Sequence, residues 1–219
     1  GRLIMLADCT GHGVPGAFMT MLAVGAVDRA LDNTPVGEIG LLVGYIHEHV
    51  QGMLYQKKEE EVDTNDGLEL GACYLDYENN EVRFSGARFS LFHAYGGEVQ
   101  EFKGNKFGIG YRNLEAHLVV QETKIGLTKD SQHTFYMTSD GFLDQIGGSN
   151  RRYGFGKKRF MELIKQLQDV PIRQQKEHFE SALLAYRGAE EQRDDVTVVG
   201  FTWDLASQPC VSPQPLSHG

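Results

Sequence analysis

The chain has 219 residues, 41% of them hydrophobic, enough to bury a core in one large domain or two small ones, which excludes general disorder. Thirty acidic against 21 basic residues leave a formal charge of −9, and phosphate backbones reward surplus Lys and Arg, so nucleic acid is not expected as a partner. Cys9, Cys73 and Cys210 stand far apart with no C-x-x-C pair, which argues for a reducing, intracellular setting; with no signal peptide and no run of about 18 apolar residues, the chain reads as soluble.

Residues 2–8 read as a buried strand. The chain opens in mid-strand and is expected to be a piece of something longer. Gly11, His12, Gly13, Pro15 and Gly16 follow within a few positions, a loop poor in side chains. Pro15 suits the first turn of a helix, where its missing N–H costs nothing. Phe18, Met21, Leu22 and Gly25 then share one face, predicting a helix over 15–31. "NTP" at 33–35 breaks it. Ile39, Leu42, Val43, Ile46, Val50, Met53 and Leu54 predict a second helix over 36–56. "KKEEEVDTND" (57–66) reads as a charged linker. From 67 to 139 the pattern becomes short β-rich runs ("LELGACYLDY", "EVRFSGA", "FSLFHAY", "EVQEF", "HLVVQETKI", "HTFYMTS") separated by Asn-Asn, Gly-Gly and Gly-Asn turn signals. That is an antiparallel meander rather than a βαβ alternation. A glycine-rich loop (146–158) leads to helices at 156–168 and 171–187 and a last strand at 195–205. The proline-rich tail is expected to be disordered. The expected organisation is one domain over 1–205 and a tail over 206–219. The fold class is α+β, two antiparallel sheets with helices on their outer faces.

Three acidic spots share one grammar. Asp8 ends a strand before a glycine loop, Asp140 ends "TFYMTS" and precedes Gly141, and Asp194 and Asp195 open the final strand. Strand ends hold side chains rigidly, and an adjacent glycine lets another group approach the backbone. Carboxylates converging without lysine partners repel one another, and a divalent cation removes that conflict. An all-oxygen donor set suits Mg²⁺ or Mn²⁺, and no H-E-x-x-H or Cys/His spacing points to zinc. A single strand-end Asp serves equally well as a turn or cap residue. "GHGVPG" could be a plain strand-to-helix turn or a phosphate cradle at a helix N-terminus, although no Gly-Lys-Ser/Thr follows.

His12 could donate a proton to a leaving oxygen or dock the helix start by a hydrogen bond. His47 and His49 lie about 200° apart on a helix and read as ordinary helix residues. Arg151, Arg152, Lys157, Lys158 and Arg159 form a basic cluster, either a solvated face or a steering patch beside Asp140. Gly25, Gly37, Gly40, Gly44 and Gly52 weaken the two N-terminal helices. They fit a two-state switch or close helix packing.

"ADCTGHGVPGAFM", "DGLELGACYLD", "TSDGFLDQ" and "QRDDVTVVGF", in this order, resemble the metal-dependent serine/threonine phosphatases of the PPM family, and within it the bacterial SpoIIE/RsbU-type branch. The likeness runs from about residue 3 to 203. It implies an αββα sandwich and hydrolysis of a phosphoserine or phosphothreonine ester. It further implies two ions, Mn²⁺ or Mg²⁺, that activate a water. Asp8 would bridge the ions, the backbone carbonyl of Cys9 would be a further ligand, Asp140 and Asp194 would be the other direct ligands, and Asp195 is the reserve choice. The resemblance also implies a phosphorylated regulatory protein, such as an anti-sigma-factor antagonist, as substrate. Its other implications are a homodimer through the helices at 15–56 and an attached sensor domain, making this the cytoplasmic output domain of a membrane-anchored receptor. Relatives carry an earlier strand with a "G-D" motif that these residues do not include. That departure keeps a second reading open, a degenerate phosphatase domain acting as a binding or sensor module.

Overall fold

The computed structural model describes residues 1–54, 66–112, 114–115, 117–128, 132–148 and 153–203. The charged linker (apart from Asp66), the 206–219 tail, Arg151 and Arg152 lie outside the described residues.

Strand β1 (Arg2–Cys9) pairs antiparallel with β2 (Leu68–Asp76), which pairs with β3 (Glu81–Ala87) and through it with β6 (Thr123–Gly126). Alternation along β1 sends Leu3 and Met5 to one face and Ile4 and Leu6 to the other. Both faces make apolar contacts, which is why the strand reads as a continuous apolar run. But β1 is the edge strand of its sheet and is half-buried at most, with Ala7 exposed, rather than buried as the sequence suggested. On the outer face lie α1 (Gly13–Asn33) and α2 (Ile39–Leu54), whose buried Ala23, Ala26, Ala30, Val43 and Ile46 pack over Leu68, Leu70 and Ala72. Alanines at that seam let the helix backbones come close to each other and to the sheet.

The second sheet has the order β10 (Val198–Trp203), β7 (His133–Thr138), β4 (Ser90–Tyr95) and β5 (Glu98–Lys103), all antiparallel. Phe135 and Met137 of β7 enter the layer between the sheets with Cys73, Phe84, Leu91 and Trp203. Tyr136 faces outward to α4 (Gly156–Gln166) and α5 (Gln175–Arg187). The result is the expected α/β/β/α sandwich. The strands do not form a meander: consecutive β3 and β4 belong to different sheets, and β6 and β7 return to the first and second sheets respectively.

Other departures are local. Of "HLVVQETKI" (117–125) only the last three residues are strand, in β6 (Thr123–Gly126). The preceding stretch runs along α2, bringing the carbonyls of Val120 and Leu118 against Gly40 and Gly44, and leaves Val119 91% exposed. The second helix begins at Ile39, not 36. Within the glycine-rich stretch two short strands pair antiparallel, β8 (Ile146–Gly147) with β9 (Tyr153–Gly154). A single 3-10 turn, Ile172–Gln174, precedes α5. Helix α1 is long and apolar enough, by length and composition, to cross a membrane; no uninterrupted apolar run shows this in the sequence, because Thr20 and Asp28–Arg29 break it. Its inner face is buried, while Val14, Phe18 and Met21 are exposed.

Candidate metal centre

Asp8 sits one residue from the end of β1. By alternation it shares the inter-sheet face with Ile4 and Leu6, and its register partner on β2 is Glu69. Beyond Cys9 the chain turns through Gly11 and Gly13, whose φ of 90° and 63° are left-handed. Gly16 closes the loop: a Cβ there would lie 2.7 Å from the Gly11 carbonyl oxygen. His12 caps α1 with its backbone. Its exposed side chain makes no capping hydrogen bond, so the helix-docking alternative is not the one adopted. Asp8, His12, Thr20, Ser139 and Asp195 line one groove of about 530 Å³.

On the second sheet, β7 stops at Thr138. Asp140 therefore opens a short helix, α3 (Asp140–Asp144), rather than ending the strand. Phe142 pins that helix, meeting Phe155 and Phe160 edge-on at centroid distances of 5.1 and 5.2 Å. Asp194 and Asp195 do not open β10, which begins at Val198, but lie in the loop before it. That loop is laced to the end of β7. The Ser139 N–H donates to the Thr197 carbonyl (3.0 Å) and the Thr197 N–H to Ser139 Oγ (3.0 Å). The Ser139 hydroxyl reaches the Asp195 carbonyl (3.3 Å). These bonds override the strand propensity of "DDVTVV". Gly141 is what allows the approach: a Cβ there would sit 2.1 Å from the Asp195 carbonyl oxygen.

The carboxylates feel one another. The Asp8 carboxyl is pushed up to about 6, first by burial and then by Asp140, Asp194 and Asp195. Burial, then Asp194 and Asp144, raise Asp140. Burial, then Asp140, also raise Glu69. The sequence-predicted Asp8, Asp140, Asp194 and Asp195 are thus brought to one end of the sandwich. Glu69 and Asp144 join them unpredicted. Glu69 lies inside "DGLELGACYLD", and pairing β2 with β1 in the right register would place it opposite Asp8.

Hard oxygen donors carrying unneutralised like charge fit a divalent cation. Among the described residues no three His, Cys, Asp or Glu side chains are gathered closely enough to form a complete ligand cage. Carbonyls and waters would have to supply the remaining ligands, as Mg²⁺-type sites allow. The Cys9 side chain packs toward the helix layer, and burial raises its thiol, so any ligand role there falls to the carbonyl.

Three further candidates make contacts to the scaffold. His47 is fully buried and bridges two loop backbones: Nε2–H donates to the Glu115 carbonyl (2.8 Å) and Nδ1 accepts from the Gly110 N–H (3.0 Å), a tautomer assigned from those partners. Lys157 binds Glu101 (2.6 Å) and Ser90 (3.0 Å), and Arg159 donates to the Phe155 carbonyl (3.0 Å). Both are tied to the scaffold.

The family model described as Stage II sporulation protein E (SpoIIE) matches residues 1–204. Among solved structures, the SiaA-PP2C domain of Pseudomonas aeruginosa is 36% identical, with a TM-score of 0.77, over 92% of this chain and 76% of that one. The PP2C phosphatase domain and regulatory fragment of SpoIIE from Bacillus subtilis is 15% identical with a TM-score of 0.66, over 91% of this chain and 52% of that one. The catalytic domain of the serine/threonine phosphatase PstP, in complex with two manganese ions, is 16% identical with a TM-score of 0.62, over 93% and 88%. No curated protein sequence matches.

Proposed function

We propose that this chain, which belongs to the SpoIIE family of PP2C-type, metal-dependent serine/threonine phosphatases, removes phosphate from phosphoserine or phosphothreonine on a small regulatory protein. The observation that carries the reading is the meeting of Asp8 from one sheet with Asp140, Asp194 and Asp195 from the other, where burial and their mutual repulsion lift Asp8 to about 6. Asp8, the Cys9 carbonyl, Asp140 and Asp194 would hold two divalent cations, Mn²⁺ or Mg²⁺, with Asp195 in reserve. PstP, of the same fold, binds two manganese ions. When bound, such ions supply a water that is deprotonated near neutral pH and positive charge at the phosphoryl oxygens.

The chain's own residues do the rest. Asp8 projects from near the end of β1 and Asp140 from the start of the pinned helix α3, so the ligand set is oriented before substrate arrives. The glycine loop keeps the rim low enough for a phosphorylated side chain to reach it. His12 stands exposed in the same groove and would protonate the leaving serine or threonine oxygen.

The regulatory substrate, of the anti-sigma-factor-antagonist kind, belongs to the same proposal. So do a homodimer through the helices at 15–56, one domain over 1–205, and a cytoplasmic position beneath a membrane-anchored sensor. The exposed Val14, Phe18 and Met21 of α1 support a partner on that helix. The deciding experiment is Mn²⁺-dependent hydrolysis of an aryl phosphate and of a phosphoserine protein by wild type and Asp8→Ala. The variant should lose nearly all activity and most Mn²⁺ binding by titration calorimetry. Unchanged Mn²⁺ binding would overturn the ligand assignment. A wild type that binds a phosphoprotein without hydrolysing it would favour the binding-module reading.

A further inference from the structure

We propose that Arg88, backed by the ring of Tyr111, is the clamp that binds the phosphoryl group of the substrate beside the acidic rim. This clamp rests on the phosphatase reading, and it is a residue that sequence motifs do not single out.

Arg88 has a φ of 56°, and among the described residues the other non-glycine with positive φ is Asn80, a residue type that tolerates this conformation. For arginine the left-handed region costs about 1–2 kcal/mol, and such strain persists only where the surroundings over-determine it. Here they do. The Arg88 N–H donates to the Asn105 carbonyl (2.8 Å), the Asn105 N–H and side-chain amide both donate to the Gly86 carbonyl (2.7 and 2.8 Å), and the Gly104 N–H donates to the Phe89 carbonyl (3.0 Å). Gly104 has no room for a side chain, since a Cβ would meet the Phe89 carbonyl oxygen at 2.4 Å. Two loops are locked together so that Arg88 projects from between them.

Its guanidinium is incompletely engaged. It stands 5.1 Å over the Tyr111 ring and 3.7 Å from Glu69 Oε1, while a charge-assisted hydrogen bond would be roughly 2.7–2.9 Å. Its side chain is 48% exposed. Tyr111 is a fixed platform: Gln51 donates to its carbonyl (3.0 Å), and Gly67 and Gly108 leave its ring the space that any Cβ would fill. Glu69 is the cross-strand neighbour of Asp8, which puts Arg88 at the border of the acidic rim.

The chemistry selects the ligand. Glu69 and Asp144, carboxylates of the rim outside the proposed cation ligands, disfavour a phosphomonoester dianion, so a fixed cation beside Glu69 offsets that repulsion where the substrate enters. The planar guanidinium fork matches two phosphoryl oxygens at once, and stacking on an aromatic ring presets its plane. Glu69 holds the fork loosely in the resting protein and yields it to the stronger dianion. The same clamp would hold inorganic phosphate, the product.

The test uses the full chain with Arg88→Gly, which suits a positive φ and removes the guanidinium, and Arg88→Lys, which keeps the charge without the fork. With Mn²⁺ and a phosphoserine peptide, Arg88→Gly should raise KM, and the inhibition constant of inorganic phosphate, by roughly 10- to 100-fold, the loss expected for a charge-assisted pair. Its kcat should stay within a few-fold, its Mn²⁺ affinity should be unchanged and its Tm should not fall, with Arg88→Lys recovering part of the KM. Wild-type KM and phosphate inhibition in Arg88→Gly would overturn the proposal, and so would loss of Mn²⁺ binding in that variant, which would make Arg88 part of the scaffold. If wild type hydrolyses nothing, the phosphatase reading fails by itself, and calorimetry with inorganic phosphate still decides the clamp: binding lost in Arg88→Gly supports it, and binding equal to wild type overturns it.

Discussion

At position 141 a hydrogen atom separates a working rim from a steric collision. Gly141 follows Asp140 directly, and the backbone carrying Asp194 and Asp195 lies against it, so that a Cβ would come within 2.1 Å of a carbonyl oxygen. Backbone cannot swing aside as a flexible side chain can, so Gly141→Ala must push the 194–197 loop away from α3. Asp140 and Asp194 would then separate, and shared ligation of a cation would weaken. The expected outcome is a loss of Mn²⁺ affinity of at least about tenfold by calorimetry, since roughly 1.4 kcal/mol of misplacement suffices for that, with circular dichroism unchanged. Wild-type affinity in this variant would mean that the two loops are not coupled in binding. Asp8, Asp140 and Asp194 are legible in the sequence because each is a carboxylate beside a break in an apolar run. Glu69 is not, because its place depends on the register of β2 against β1, which is set by packing across two helices. Nor is Arg88, since a positive φ in an arginine leaves no mark in the sequence.

At the scale of the element, the two N-terminal helices are legible in existence and type, because their apolar residues recur at helical spacing. The role of their glycines is not. Gly40 and Gly44 permit close approach of a neighbouring chain segment: at Gly40 a Cβ would meet the Val120 carbonyl at 2.8 Å, and at Gly44 the Leu118 carbonyl at 3.3 Å. Gly40 also donates its N–H to Glu122 (3.1 Å). Gly25 faces open space. Alanine should therefore act with opposite sign at the two ends of this pair. Gly40→Ala should cost about 1–3 kcal/mol through overpacking. Gly25→Ala should gain up to about 1 kcal/mol through helix propensity. Urea denaturation of both variants measures this, and a neutral Gly40→Ala would return that glycine to the role of a conformational hinge. The same contact explains why "HLVVQ" has a strand's composition without being one. Its backbone at Leu118 and Val120 lies along a helix, which offers no ladder partner, while Val119 points to solvent.

At the scale of the whole molecule, the layers are legible in the order of helix pairs and β-runs, whereas the division of the strands between two sheets is not, because turn signals mark a reversal without saying which sheet the chain enters next. That division has an electrostatic consequence. Strand β7 carries Asp140 just beyond one end and His133 at the other, so the acidic rim and a buried histidine pair occupy opposite ends of the second sheet. His133 Nε2 lies 3.1 Å from the Thr128 carbonyl and donates to it, which leaves Nδ1 to accept from His93 Nε2–H at 2.9 Å. His93 is 8% exposed and stacked 4.4 Å from Phe135. Burial, then the neighbouring His133, push its imidazolium down to about 4 from an ordinary 6.5. The unfolded chain thus takes up a proton below 6.5 that the native protein refuses until about 4. Stability is complete above about 6.5 and falls as pH drops toward about 4, by up to about 3 kcal/mol. Asp8, with its carboxyl raised to about 6, works in the opposite direction between 3.8 and 6, because there the native state holds the extra proton. Comparing wild type with His93→Phe, which keeps a ring against Phe135, cancels the Asp8 contribution. Urea unfolding from about pH 7 to about pH 4.5 should show wild type losing stability relative to the variant as pH falls. Parallel pH profiles would show that His93 is solvated or already charged in the native protein.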